Sequence, residues 1–215
     1  MTILEAEDYV SQKTPQVLHL SGKTSTGKTT FAKAISKKYG YQIIELDSVL
    51  RKSVISPLAI EDEGKVFLEV YKSRSRLDWI TLFIDSVSRL ISQSLMEGNR
   101  VVIDGAIAST DTLSDLFRPY IGIEILYFHP IDVDHYVQLL TNRFMLSGPR
   151  ENAGLPVNFW NLMQDTELVE YWKSGKITHS ISLSIQQYAE VSHNSSKDRF
   201  RKLKRAFPQT QLVEI

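Results

Sequence analysis

The sequence of 215 residues contains no cysteine. Disulfide bridges, thiolate metal sites and cysteine nucleophiles are therefore excluded. It also lacks a net charge, because 25 Lys and Arg residues balance 25 Asp and Glu residues, so no overall field attracts nucleic acid or an acidic membrane. No apolar run approaches the roughly 20 residues that a transmembrane helix needs, and residues 1–14 lack a signal-peptide pattern. We expect a cytoplasmic protein that binds neither nucleic acid nor a membrane.

Glycine is also scarce, with 10 in the whole chain, yet Gly22 and Gly27 frame a Gly-x-x-x-x-Gly-Lys-Thr motif after an apolar run. This is the P-loop, or Walker A, pattern, in which backbone N–H groups and a helix N-terminus surround phosphate oxygens. Lys28 would bridge the β- and γ-phosphates of a nucleotide, and the Thr29 hydroxyl would hold Mg²⁺. A plain glycine turn between strand and helix is the alternative. The predicted nucleotide-binding residues are Gly22, Lys23, Thr24, Ser25, Thr26, Gly27, Lys28, Thr29 and Thr30.

Strand and helix patterns alternate along the chain, which predicts an α/β fold with ligand sites at the carboxyl ends of the strands. We expect a single domain over residues 1–215, with residues 1–15 as a short lead-in of at most one helical turn. The pattern over residues 176–189 fits both strand and helix. The predicted strands are 17–21, 41–46, 100–104, 121–129 and 211–215, and the predicted helices are 28–39, 66–71, 78–96, 109–117, 132–145, 158–172 and 195–206.

Two aspartates follow predicted strands and so should lie at the same edge of the sheet as the P-loop. Asp104 ends a buried apolar run and is typical of a Walker B carboxylate that binds Mg²⁺. Asp47 follows the second strand, where it could accept the proton of a substrate hydroxyl. The alternative for each is a helix cap, which is a common use of aspartate.

A stretch rich in Gly and Pro follows the helix predicted over residues 132–145, and Arg143 and Arg150 stand at its start. A guanidinium on a closing loop would neutralise charge during phosphoryl transfer, so both are candidate catalytic residues in a lid over about 143–157. The alternative for each is a solvated surface arginine. Residues 53–77 are the candidate acceptor-binding insertion, and Arg51, Lys52, Arg74 and Arg76 are weaker candidates there. The bases of residues 197–205 are interpreted as the solvated face of a helix.

With these residues placed, the chain over about 17–150 resembles the P-loop small-molecule kinases, in particular the zeta-toxin-like and chloramphenicol-phosphotransferase-like branch. The resemblance implies a three-layer sandwich around a five-stranded parallel sheet, a mobile lid, and Asp47 as the catalytic base. It also allows a homodimer or an antitoxin-type protein partner. The matching features are residues 22–30 (GKTSTGKTT), 44–48 (IELDS), 98–105 (GNRVVIDG) and Arg143.

The function that these features predict is transfer of the γ-phosphate of ATP, with Mg²⁺, to a hydroxyl of a small molecule. The acceptor could be a nucleoside, a sugar nucleotide, an antibiotic or a similar compound. Two alternatives stay open: a P-loop ATPase or regulatory switch without an acceptor, and a nucleotide-binding protein that has lost catalysis. Residues 104–107 lack the Asp-x-x-Gly motif of GTPases, and adenine is therefore expected over guanine by elimination.

Overall fold

The computed structural model describes residues 1–50, 76–107, 109–146 and 178–215, with the backbone alone for 76–79. Several predictions lie outside these residues: the helices at 66–71 and 158–172, Arg51, Lys52, Arg74, Arg150, the lid beyond residue 146 and most of the insertion at 53–77.

Helices and strands alternate along the described chain, as the sequence predicts. The helices are α1 (Ile3–Lys13), α2 (Lys28–Tyr39), α3 (Leu46–Leu50), α4 (Arg76–Met96), α5 (Thr110–Phe117), α6 (Val133–Leu146) and α7 (His179–Ala206). The strands are β1 (Val17–Gly22), β2 (Gln42–Glu45), β3 (Val101–Asp104), β4 (Ile123–His129) and β5 (Gln211–Glu214).

The strands form one five-stranded sheet in the order β2-β3-β1-β4-β5, and every pairing is parallel. Leu20 of β1 is paired with Asp104 of β3, and Glu45 of β2 is paired with the same aspartate. The carboxyl ends of β2, β3 and β1 therefore meet at one edge. This confirms the predicted α/β fold, with the strand that precedes the P-loop beside the strand that ends in Asp104.

Helices cover both faces of this sheet. Because side chains alternate along a strand, Leu18 and Leu20 of β1 pack on one face against α1 and α2, whereas Val17 lies in the cluster on the other face with α4 and α5. The C-terminal part of α7 joins this second cluster through Leu203. A third cluster, outside the sheet, joins α6 to the N-terminal part of α7 through residues such as Tyr136 and Ile185.

One predicted segment differs from the structure, and one that the sequence left open is decided by it. Residues 1–15 contain an 11-residue helix rather than a lead-in, and a capping box between Thr2 and Glu5 begins it; this Thr-x-x-Glu spacing was a readable signal. Residues 179–189, where strand and helix patterns both fitted, and the helix predicted over 195–206 belong to one 28-residue helix, α7. Its N-cap is Thr178, and Ile181 is among the residues that pack on α6, a long-range contact that the local pattern does not contain.

Within the described ranges, no helix is both long enough and apolar enough to cross a membrane.

Candidate active site

The P-loop connects β1 to α2 through a backbone that only some residues can adopt. Gly22 has φ +121°, and a Cβ there would lie 2.2 Å from the carbonyl oxygen of Phe128 in β4. Ser25 and Gly27 have φ values of 60° and 75°. Among the described residues, the backbone N–H groups of residues 24–30 have no carbonyl partner. They are therefore available to an anion, as the motif predicts.

Lys28 lies in this loop with only 9% of its surface exposed. Its amine donates to the carbonyl oxygen of Lys23, and to Thr26 Oγ1 at 3.3 Å. Burial lowers the pKa of Lys28 to about 8, although Asp104 and Asp47 act in the opposite direction. A buried ammonium of this kind gains stability when phosphate oxygens come within its reach.

Asp104 is buried at the end of β3, in register with β1. Burial raises the pKa of its carboxyl, while a hydrogen bond with Thr29 and the charge of Lys28 lower it. The hydroxyl and the carboxylate that the sequence predicts as Mg²⁺ ligands are thus in contact with each other. Mg²⁺ is usually held by one or two protein oxygens and takes its other ligands from phosphates and water. The hydroxyl of Thr29 and the carboxylate of Asp104 therefore fit the ion.

Asp47 lies in α3, which begins directly after β2, and its side chain is exposed. Its charge raises the pKa of both Lys28 and Asp104, so the carboxylate is near both groups. The position of α3 is fixed by close packing, because a Cβ at Gly105 would lie 2.8 Å from Cβ of Leu46. The turn that follows Asp104 thus packs against the residue before Asp47, and this packing keeps the two aspartates close together.

Arg143 belongs to α6 and reaches the P-loop, where its Nη1 donates to Thr24 Oγ1 at 3.0 Å. Its charge also lowers the pKa of Lys28. Of the candidate residues, the structure thus brings Lys28, Thr29, Asp104, Asp47 and Arg143 to one edge of the sheet. The assignment of Arg143 and Arg150 to a catalytic lid stays a prediction.

Comparison with known protein families gives a match over residues 17–131, to a family described as "AAA domain". These residues make up more than half of the chain. The chain belongs to this AAA-domain family. The match spans the P-loop, Asp47 and Asp104. It does not test the narrower resemblance to the zeta-toxin-like and chloramphenicol-phosphotransferase-like branch, which stays a prediction.

No curated protein sequence matches the chain. Among solved structures, a sugar kinase from Janibacter sp. HTCC2649 is 12% identical with a TM-score of 0.44, and the alignment covers 93% of this chain and 83% of that protein. A gluconokinase from Sinorhizobium meliloti 1021 has the same identity and TM-score, with coverage of 94% and 83%. Similarity at this level does not decide an activity.

Beyond the matched AAA-domain residues, α7 contributes side chains that sequence reasoning missed. Lys23 Nζ donates to Ser195 Oγ at 3.1 Å, and Arg199 Nη2 donates to the carbonyl oxygen of Ile107 at 2.5 Å. The sequence predicts that Arg199 belongs to a solvated basic face. It is instead half-buried, and it contacts the segment that follows Asp104. A signal existed, because Arg199 precedes the buried Leu203 by four residues and so shares its side of the helix.

His19 of β1 holds the turn that follows Asp104. Its side chain is fully buried, and its Nε2 donates to the carbonyl oxygen of Gly105 at 2.8 Å. Burial lowers the pKa of His19 to about 4, so the ring is neutral near pH 7. His19 is therefore a core residue that also helps to place the edge of the site.

Proposed function

We propose that this AAA-domain protein transfers the γ-phosphate of ATP to a hydroxyl group of a small molecule. The observation that carries the proposal is the placement of Asp47 beside both Lys28 and Asp104. A P-loop with its Mg²⁺ carboxylate is common to nucleotide hydrolases, switches and kinases. A second carboxylate at the adjacent strand end supplies what a kinase needs in addition, a base for the acceptor.

The nucleotide end of the site follows from the P-loop. The N–H groups of residues 24–30 and the amine of Lys28 would bind the β- and γ-phosphates. Thr29 and Asp104 would hold Mg²⁺, which when bound neutralises charge on the phosphates. The contact of Arg143 with Thr24 puts a further cation beside the loop, and we assign it to stabilising the transferring phosphoryl group.

The acceptor end is assigned to Asp47, whose side chain is exposed at the carboxyl edge of the sheet. It would accept the proton of the acceptor hydroxyl while the new bond from that oxygen to Pγ forms. The bond between Pγ and the β–γ bridging oxygen breaks, and ADP leaves with its electron pair. Lys28 and Arg143 carry the positive charge that balances the charge developing on ADP and the phosphoryl group.

The proposal is tested by measuring ADP release from Mg·ATP with a panel of hydroxylated metabolites. One acceptor class should stimulate release and become phosphorylated. With that acceptor, Asp47→Asn should lower the rate by about 10²- to 10⁴-fold, the usual contribution of a general base, while ATP affinity changes by less than about threefold. Asp8→Asn, on the exposed face of α1, is the matched control and should leave the rate unchanged.

Two results would contradict the proposal. If ATP is hydrolysed at one rate whatever acceptor is added, the alternative of an ATPase or switch is favoured. If Asp47→Asn keeps full phosphotransfer to an identified acceptor, the assignment of the base fails while the kinase activity stands.

A further inference from the structure

Exposed cations lie along one side of the C-terminal half of α7, within an arc of about 160° at 3.6 residues per turn. We call this surface the basic face, and its residues are Lys197, Arg201, Lys202, Lys204 and Arg205. Among the described residues, Arg201 alone of these forms an ion pair, with Asp198 at 2.9 Å. Both partners are exposed, and exposed pairs of this kind contribute little. The basic face therefore carries an excess of positive charge.

The zero net charge of the whole chain does not cancel this excess. Salt screens exposed charges beyond a Debye length of about 8 Å at physiological ionic strength, whereas residues 197–205 extend over about 12 Å of helix. A ligand on the basic face would respond to the cations beneath it and not to carboxylates on the far side of the sheet. The expectation of no nucleic-acid partner depends on the overall charge and does not bear on a local site.

An aromatic cleft opens where α7 ends. It has a volume of about 330 Å³, and the residues that line it include Phe117, Tyr120, Glu124, Phe207 and Gln209. Tyr120 and Phe207 are half-buried, so part of each stays open to solvent. The carboxylate of Glu124 accepts a hydrogen bond from the hydroxyl of Tyr9 at 2.6 Å. The cleft thus combines aromatic surface with few charges, at the low end of the volumes typical of ligand sites.

The cleft lies away from the P-loop. Its residues precede β5, or precede or begin β4, so they lie at the amino edge of the parallel sheet. The P-loop lies at the carboxyl edge, and the length of β4 puts roughly 20 Å between the two edges. α7 spans this distance, because Ser195 contacts Lys23 beside the P-loop and Phe207 follows the last residue of the helix. The basic face therefore runs along the helix toward the cleft.

We propose that the basic face and the aromatic cleft together bind single-stranded nucleic acid, at a site separate from the nucleotide site of the P-loop. Proteins that bind single strands combine cations that follow the backbone with aromatic rings that stack on bases. The cations of α7 bind the phosphates, and Tyr120 and Phe207 hold one base. A duplex or an acidic peptide could meet the cations, but neither offers an unpaired base to the cleft.

The experiment titrates the full chain into a labelled single strand of about ten nucleotides, as RNA and as DNA, and follows fluorescence anisotropy without ATP. If three phosphates are contacted, the affinity should fall about 20-fold between about 50 and 200 mM salt, because each phosphate contributes about −0.7 to the slope of log K against log salt. The triple variant Lys197→Gln, Arg201→Gln, Arg205→Gln should reduce that change to less than about threefold.

The matched control is the triple variant Lys13→Gln, Lys33→Gln, Lys37→Gln, which removes the same charge from exposed positions of α1 and α2 and should bind as wild type does. The cleft is tested separately at Phe207. Phe207→Leu keeps an apolar side chain but loses the flat ring, and it should weaken binding about tenfold at every salt concentration, as expected for one stacked base. Phe207→Tyr keeps the ring and should stay within about threefold of wild type.

A strand that does not bind near physiological salt, or equal weakening by the two triple variants, would overturn the inference. Equal affinity for a duplex or for a glutamate-rich peptide of the same length would overturn it too, because cations alone would then explain the binding. Displacement of the strand by a non-hydrolysable ATP analogue would place the strand at the P-loop instead. Thermal unfolding checks each variant, and the exposed triple variant decides the matter if Phe207→Leu is unstable. A chain that binds the strand but not ATP would reject the proposed function and leave this site standing.

Discussion

The site has two sides that are built in different ways. One side is the P-loop, in which consecutive residues between Gly22 and Thr30 present backbone groups. The other side is the wall formed by α6 and α7, where Arg143 and Arg199 extend single side chains to the loop and to Ile107. The first side depends on backbone geometry within nine residues, whereas the second depends on packing between distant segments. Substitutions on the two sides should therefore differ in kind as well as in size.

The largest effect is expected at Gly22, where the backbone that enters the P-loop lies directly against β4. Gly22→Ala would place a Cβ 2.2 Å from the carbonyl oxygen and 2.7 Å from the nitrogen of Phe128, and neither backbone atom can turn aside. We expect a loss of about 3 kcal/mol or more in the free energy of unfolding and a loss of ATP binding. Urea denaturation and nucleotide titration measure the two effects.

A matched glycine outside the site separates crowding from conformational strain. Gly40 ends α2 with φ +73°, and a Cβ there would meet nothing within 4 Å. Gly40→Ala should therefore cost only about 1 kcal/mol, the strain of a left-handed residue, with ATP affinity unchanged. If both variants lost the same stability, close approach to Phe128 would not be the reason for glycine at position 22.

A smaller effect is expected from pH, and it concerns the two lysines of the P-loop side. Lys23 and Lys28 each have a pKa lowered to about 8, so both lose protons above pH 8 in the free protein. Bound phosphate favours the charged amines, and binding at higher pH must take protons up. Because both amines must be charged, ATP affinity should thus fall roughly 30-fold from pH 8 to pH 9, and the heat of binding should depend on the buffer.

Lys23→Gln sharpens this test, because Lys23 is the lysine that contacts α7. The variant should take up fewer protons than wild type and show a shallower fall in affinity above pH 8. An affinity that is constant between pH 7.5 and pH 9.5 would contradict the claim that these buried amines meet the phosphates.

The difference between the sides also explains what the sequence could predict. The alternation of strands and helices after residue 17 follows from local patterns, and the structure confirms it within the described residues. The five-stranded parallel sheet was implied by the resemblance to P-loop kinases, and the structure shows it. Asp47 and Asp104 could be placed at one edge because parallel strands end together. Lys28 is near both aspartates because the P-loop follows β1 directly and β1 lies beside β3.

The wall could not be predicted in the same way. Nothing local in residues 176–189 decides between strand and helix, and the packing of Ile181 and Ile185 on α6 decides it. The contact of Arg199 with Ile107 depends on how α7 lies across the sheet, which involves contacts with β4 and α5 more than sixty residues away from Arg199 in sequence. A basic run on a helix cannot by itself show which of its arginines is turned inward.

The measurement that tests the central claim most directly is calorimetric titration of Mg²⁺ with a non-hydrolysable ATP analogue into wild type and Lys28→Ala. The account predicts that wild type binds one nucleotide per chain and that Lys28→Ala weakens binding by about 100-fold or more, since the amine meets two phosphates. Lys33→Ala, exposed on the same helix, should bind as wild type does. Undiminished binding by Lys28→Ala would contradict the account.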